Sequence, residues 1–151
     1  MILKKNIFQT IIDKTPLCSI DILIKINHKY LFGLRVNKPA RNFYFVPGGR
    51  ILKNEKYNTT IKRVLKRELG LRIKNLKYKI IGVFDHIYTN NFLNVKKINT
   101  HYFVCAIKIE LNEKIKLTPD SQHKKLILLT KSQALNNKKI HKFCKIYLRN
   151  E

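Results

Sequence analysis

The chain has 151 residues, 44% of them hydrophobic, and a formal charge of +23. That length suits one domain, residues 1–151, and no apolar run approaches the roughly 18 residues of a membrane span. The charge suggests nucleic acid, yet the lysines are spread along the whole chain beside abundant Ile and Asn, the residue usage of an AT-rich coding sequence.

No block of about five or more like charges and no nucleic-acid motif occurs, so neither nucleic acid nor a membrane is the expected partner. Cys18, Cys105 and Cys144 lie far apart without metal-like spacing. They read as reduced, mostly buried thiols of a cytoplasmic protein. The N-terminal MILKKNIFQTIIDKTPL has charges inside its apolar pattern and no small-residue cleavage site, so it does not read as a signal peptide.

In chain order, residues 6–14 place Ile7, Phe8, Ile11 and Ile12 on one helical face, and Thr15-Pro16 stops the helix. Three β-prone runs follow: LCSIDILIKI, YLFGLRV and NFYFV. The first alternates Ile20, Ile22, Ile24 and Ile26 against Asp21, which predicts a strand with one polar face. Pro47-Gly48-Gly49 breaks the third. Asn54 is the expected N-cap of a helix with Glu55 in its first turn, running to about Leu69 and closed by Gly70. Two longer β-prone runs, 78–88 and 100–110, come next. A Pro-Asp turn, TPDSQH, leads to a last strand, KKLILLT, and a helical C-terminus.

The segment 49–71, GRILKNEKYNTTIKRVLKRELGL, has the layout of a diphosphate site: glycines, then a helix with a carboxylate near its far end. Glycine lets a backbone approach an anion closely, and a peptide carbonyl there can ligate a hard cation. Glu68 shares a helical face with Val64 and Leu65. On these residues alone it is equally a surface partner for an arginine such as Arg63.

With GLRVNKPARNFYFVPGGR before it, this segment resembles the box of the Nudix hydrolases. The general box is a glycine and a glutamate followed by Arg-Glu-apolar-x-Glu-Glu-x-Gly-apolar. Gly49, Glu55, Arg63, Leu65, Glu68, Gly70 and Leu71 match it, whereas Val64 and Arg67 stand where two further glutamates belong. The chain is similar in particular to the GDP-mannose mannosyl hydrolase branch, which departs from the general box at the same places. The likeness continues through TPLCSID, GVFDHIY, THY and PDSQH, in the right order.

The resemblance implies an α/β fold, the Nudix fold, with a mixed β-sheet sandwiched between α-helices. It implies hydrolysis of GDP-mannose, or GDP-glucose, to GDP and the free sugar, by water attack at C1 with inversion. Mg²⁺, one per subunit and replaceable by Mn²⁺, would be held by the Gly49 carbonyl, Glu68 and Gln122. A box with so few carboxylates suits a single metal on a leaving diphosphate rather than a multi-metal attack on phosphorus.

By the same resemblance His123 is the base, and a histidine of ordinary pKa, about 6.5, can accept the proton of water. Arg35 and Arg50 would hold the leaving diphosphate, since guanidinium forks match phosphate oxygens in pairs. Asp21, on the strand's polar face, would favour positive charge at C1, and His86 and Tyr102 match further active-site positions. On the residues alone each of these three also fits a structural role. Ile2, Leu3 and Phe8 match the segment that meets the nucleotide, and a homodimer is implied.

Lys66, Arg67, Lys124 and Lys125 depart from the family pattern by adding positive charge at the site. The tail from Lys138 matches least. Two other functions remain open: a pyrophosphohydrolase cleaving the diphosphate bridge, and an inactive basic binding module on the same fold.

Overall fold

The structure is a computed structural model that describes residues 3–111 and 123–151, with only the backbone of 123 and 124. Ile2 and Gln122 lie outside the described residues. Helix α1 (Lys5–Lys14) ends as expected at Thr15, which is extended before Pro16 and whose backbone N–H returns to the Ile11 carbonyl. Ile12 is its buried residue, and Ile7 and Phe8 remain accessible.

The sheet is built around β1 (Leu17–Ile26). It pairs in parallel along its whole length with β6 (Thr100–Leu111), which pairs antiparallel with the edge strand β5 (Lys79–Tyr88). On its other side β1 meets β2 (Lys29–Arg35) only beside the hairpin turn, through Lys25–Tyr30 and Ile26–Lys29. Beyond that point the two strands part like a fork. The segment between them divides accordingly: β3 (Tyr44–Phe45) bonds β2 and β4 (Gly48–Arg50) bonds β1. β7 (His123–Thr130) pairs with β2.

Both faces of the sheet are covered. On one, Ile20, Ile22, Ile24 and Ile26 pack against Ile61, Val64, Leu65 and Leu69 of α2 (Tyr57–Leu69). On the other, Leu23, Phe32 and Ala106 pack against Phe143, Cys144, Tyr147 and Leu148 of α4 (Lys142–Asn150). Just before α4 in the chain, α3 (Lys131–Asn136) opens on a Thr130–Gln133 capping box. Each fully buried Leu, Ile or Phe contributes roughly 1.5–3 kcal/mol. The expected mixed sheet between helices is therefore the observed fold.

Several local expectations need correction. β1 is not half-solvated: Ser19 and Asp21 are buried, because α4 covers the face that reads as polar. The third run breaks as expected, with β3 ending at Phe45 ahead of Pro47, but Gly48 and Gly49 then re-enter the sheet as β4. Asn54 is not the helix cap. It sits in the left-handed region (φ 64°), α2 starts at Tyr57 with Lys56 as a cap lacking a side-chain bond, and Glu55 precedes the helix. Gly70 closes α2 as expected, with φ 69° and its N–H on the Lys66 carbonyl. Cys18 is exposed and Cys144 buried, and all three thiols are free. The tail from Lys138, which matches the family least, completes the core through α4.

Candidate active site

The fork between β1 and β2 opens into a cavity of about 770 Å³. Its floor is β4, whose Gly48, Gly49 and Arg50 sit opposite Asp21, Ile20 and Ser19. The fit there is tight. A Cβ on Gly48 would lie 2.3 Å from an Asp21 carboxylate oxygen and 2.9 Å from the Ile20 carbonyl. Glycine is required at 48 for close approach, since its φ is not positive.

One wall carries a buried polar network. Tyr147 donates its hydroxyl proton to Asp21 Oδ2 at 2.6 Å, and the Tyr147 hydroxyl oxygen lies 3.0 Å from His86 Nε2. With its proton given to Asp21, the hydroxyl accepts from His86, which fixes the Nε2–H tautomer. Burial, then the neighbouring His141, pushes His86 down to about 3, so it is neutral at pH 7. Its 3.9 Å approach to Asp21 is therefore not an ion pair. The His86 ring stacks on Phe143 with centroids 3.8 Å apart. Burial pushes Asp21 up to about 6, opposed by the Tyr147 hydrogen bond and the charge of Arg35. Tyr102, also raised by burial, meets Tyr88 edge-on.

The cations lie at the mouth and floor. Arg35 Nε donates to the Pro39 carbonyl at 3.1 Å, and the Arg50 guanidinium lies 4.6 Å over the Phe8 ring. A clamp outside the cavity sets the Arg50 backbone. Arg63 Nη2 donates to the Arg50 carbonyl at 2.7 Å, while Arg63 Nε is held by Glu55 Oε1 at 2.7 Å. Glu55 also accepts from Leu52 N–H and the Thr60 hydroxyl, and these bonds, Arg63 foremost, hold it down at about 2.

Behind β4, Glu68 is buried, with its side chain 2% exposed. Its Oε2 accepts from Gly48 N–H at 3.1 Å, and its Oε1 is 2.7 Å from Arg67 Nη2. The reading of Glu68 as a surface partner of Arg63 is thus corrected: it is a buried partner of Arg67. Val64 is fully buried under Gly49, in van der Waals range of where a Cβ there would be.

Leu3, Phe8, Asp21, Arg35, Gly49, Arg50, His86 and Tyr102 all line the one cavity. Glu68 lies beneath it. His123 starts β7 with its backbone opposite Arg35. Ile2 and Gln122 fall outside the described residues. The expected Mg²⁺ set thus includes a residue outside the described ones; among the described residues there is no cluster of three His, Cys, Asp or Glu side chains suited to a metal. The one carboxylate assigned to the ion is already engaged by a guanidinium and an amide. With Arg67 in place, Glu68 as it stands does not fit the ion. Sequence reasoning missed Tyr147, Tyr88 and the placement of Arg67. The spacing of Phe143, Cys144, Tyr147 and Leu148 signals a buried helical face, but nothing in it signals where the hydroxyl points.

No family model matches the chain. It is 34% identical over 120 residues to the low-salt glycan biosynthesis protein Agl8 of Haloferax volcanii, spanning 79% of this chain and 74% of that one. It is 31% identical over 85 residues to an 8-oxo-dGTP diphosphatase of Buchnera aphidicola, spanning 56% of this chain and 58% of that one. In structure it resembles a MutT Nudix hydrolase from Burkholderia pseudomallei, with a TM-score of 0.73 at 16% identity, over 91% of this chain and 98% of that one. By these relatives and by its fold, the chain belongs to the Nudix hydrolase family.

Proposed function

We propose that the protein hydrolyses GDP-mannose, or a related GDP-hexose such as GDP-glucose, to GDP and the free sugar. The observation that carries this reading is the charge lining the cavity. Among the described lining residues, Asp21 is the one carboxylate, against Lys5, Arg35, Lys38, Arg50 and Arg67. Such a wall suits a polyanion and its departure as a leaving group. It is a poor cradle for several metals activating water on phosphorus.

In this mechanism water attacks C1 of the sugar, the C1–O bond to the β-phosphate breaks, and GDP leaves with the electron pair. Arg35 and Arg50 take up the charge on the diphosphate. His123, at the end of β7 opposite Arg35, receives the water's proton. Asp21, held by Tyr147, faces the developing positive charge at C1, and Tyr102 and His86 shape the sugar pocket. Leu3 and Phe8 offer the apolar contact for the base, with Ile2 beyond the described residues.

Nudix hydrolases generally use a divalent metal such as Mg²⁺. Mg²⁺ on Gly49, Glu68 and Gln122 would have to displace Arg67, so no step is assigned to it. No described helix is long and apolar enough to cross a membrane, and a cytoplasmic site of action suits a nucleotide sugar. The exposed apolar face of β5 and β6, with Val83, Ile87 and Phe103, is the surface we assign to a homodimer.

The glycan-biosynthesis name of the Haloferax relative is in keeping with a sugar nucleotide, and the diphosphatase name of the Buchnera relative favours the rival cleavage at phosphorus. Hydrolysis of GDP-mannose in ¹⁸O-water separates the two. Attack at carbon places the label in mannose, released first as the β-anomer, and none in GDP. GMP with mannose 1-phosphate would establish the phosphorus reaction instead.

A further inference from the structure

We infer that Arg67 is the resident cation of this site: it neutralises Glu68 in place of a divalent metal and presents the remaining guanidinium N–H groups to the substrate's diphosphate. Arg67 stands in the last turn of α2 with its side chain 43% exposed, and it lines the cavity beside Arg35 and Arg50. Its Nη2 is 2.7 Å from Glu68 Oε1, 3.5 Å from the Gly48 carbonyl and 3.2 Å from where a Cβ on Gly49 would be. That nitrogen therefore occupies the space in front of the carboxylate and over β4.

Mg²⁺ needs oxygen ligands at about 2.1 Å in near-octahedral array. Bound at Glu68 Oε1, it would collide with Nη2, and the two positive charges would repel at close range. The guanidinium cannot lose a proton to make room. The other carboxylate oxygen is taken up by Gly48 N–H, which ties Glu68 to the strand rather than leaving it to reach outward.

A glutamate at this position would add a second anion to the site, whereas arginine removes the charge already there. The hydrogen bonds described for Arg67 all run through Nη2, and the residue lines the cavity, so its other N–H groups can serve a ligand there. The inference needs a diphosphate in the cavity, as the proposed function does, but not cleavage at carbon.

Two binding measurements on the intact protein test it without turnover. Mn²⁺ binding is followed by electron paramagnetic resonance, and GDP binding by calorimetry in EDTA, for wild type, Arg67→Ala, Arg67→Lys and Arg67→Glu. Wild type should bind GDP in EDTA and take up Mn²⁺ no more tightly than millimolar. Arg67→Glu should gain Mn²⁺ affinity by at least about tenfold, and Arg67→Ala should weaken GDP binding in EDTA by at least about tenfold. Arg67→Lys, which keeps the charge, should still exclude Mn²⁺ and guards against a variant that merely unfolds. Micromolar Mn²⁺ binding by wild type, unchanged in Arg67→Ala, would overturn the inference, as would loss of wild-type GDP binding in EDTA. Failure to hydrolyse GDP-mannose would touch the proposed reaction and leave both binding results standing.

Discussion

Replacing Tyr147 with Phe removes one oxygen from the centre of the buried network and leaves a ring of the same shape. Tyr147 is fully buried, so the cost comes from hydrogen bonding rather than packing. Asp21 then loses its 2.6 Å donor and His86 Nε2–H loses its acceptor. A hydrogen bond to a charged group is worth about 1.5–3 kcal/mol, and one to a neutral group about 1 kcal/mol. Because Asp21 is raised from 3.8 to about 6, its ionised form is disfavoured in the folded state. That penalty is absent below pH 3.8 and grows to about 3 kcal/mol as pH rises past 6. Without the Tyr147 donor the Asp21 pKa rises further, so the penalty deepens at high pH. Tyr147→Phe should therefore lose about 2.5–4 kcal/mol in urea unfolding at pH 8 but only about 2 kcal/mol at pH 4. The acidic limb of kcat that reports ionisation of Asp21 should move to higher pH in the variant. Equal losses at both pH values, with an unmoved limb, would refute the network as described.

Glu55→Gln should act through stability. The folded pKa of Glu55 is depressed from 4.5 to about 2, so its contribution, about 3 kcal/mol, is present above pH 4.5 and lost as pH falls through 2. Thermal melts should show the variant weaker at pH 7 and converging with wild type near pH 2. His123→Gln should lower kcat by roughly 10²–10⁴ while the GDP-mannose dissociation constant changes little, because the cavity's arginines remain. A variant that keeps its kcat would remove His123 from the mechanism, and one that loses binding as well would make it a ligand or a structural residue.

The fold was legible where side-chain periodicity and backbone chemistry agree. Ile20 to Ile26 at alternate positions, Thr15-Pro16 after a helix and Gly70 at the end of α2 each have one physical reading, and each occurs as read. The polar face at Asp21 was misread because polarity along a strand reports solvent only when nothing else satisfies it. Here the partner of Asp21 arrives from Tyr147, 126 residues later. The break expected at Pro47-Gly48-Gly49 falls at Val46 and Pro47, and the two glycines return to the sheet. They pair in β4 because an Asp21 oxygen and the Ile20 carbonyl leave no room for a Cβ at 48, a contact that exists only once the sheet is built. Position 67 was visible as a departure from the box, but that its charge lies on Glu68 is a fact of side-chain geometry.

Charge is where composition and site part company. Seven of the 32 basic residues are arginine, at positions 35, 41, 50, 63, 67, 72 and 149. Yet arginine supplies three of the five cations that line the cavity, and a fourth, Arg63, holds the Arg50 carbonyl from outside. Lysine, the bulk of the charge, is scattered as the coding composition predicts and brings a point charge on a flexible stem. Arginine brings a planar fork that can bond two phosphate oxygens at once and remains charged when partly buried. If the excess of charge were itself the function, lysine would dominate the cavity as it dominates the surface. The opposite distribution separates a site from a background: the net charge of +23 is mostly compositional, and the proposed recognition of an anion rests on the arginines around β4.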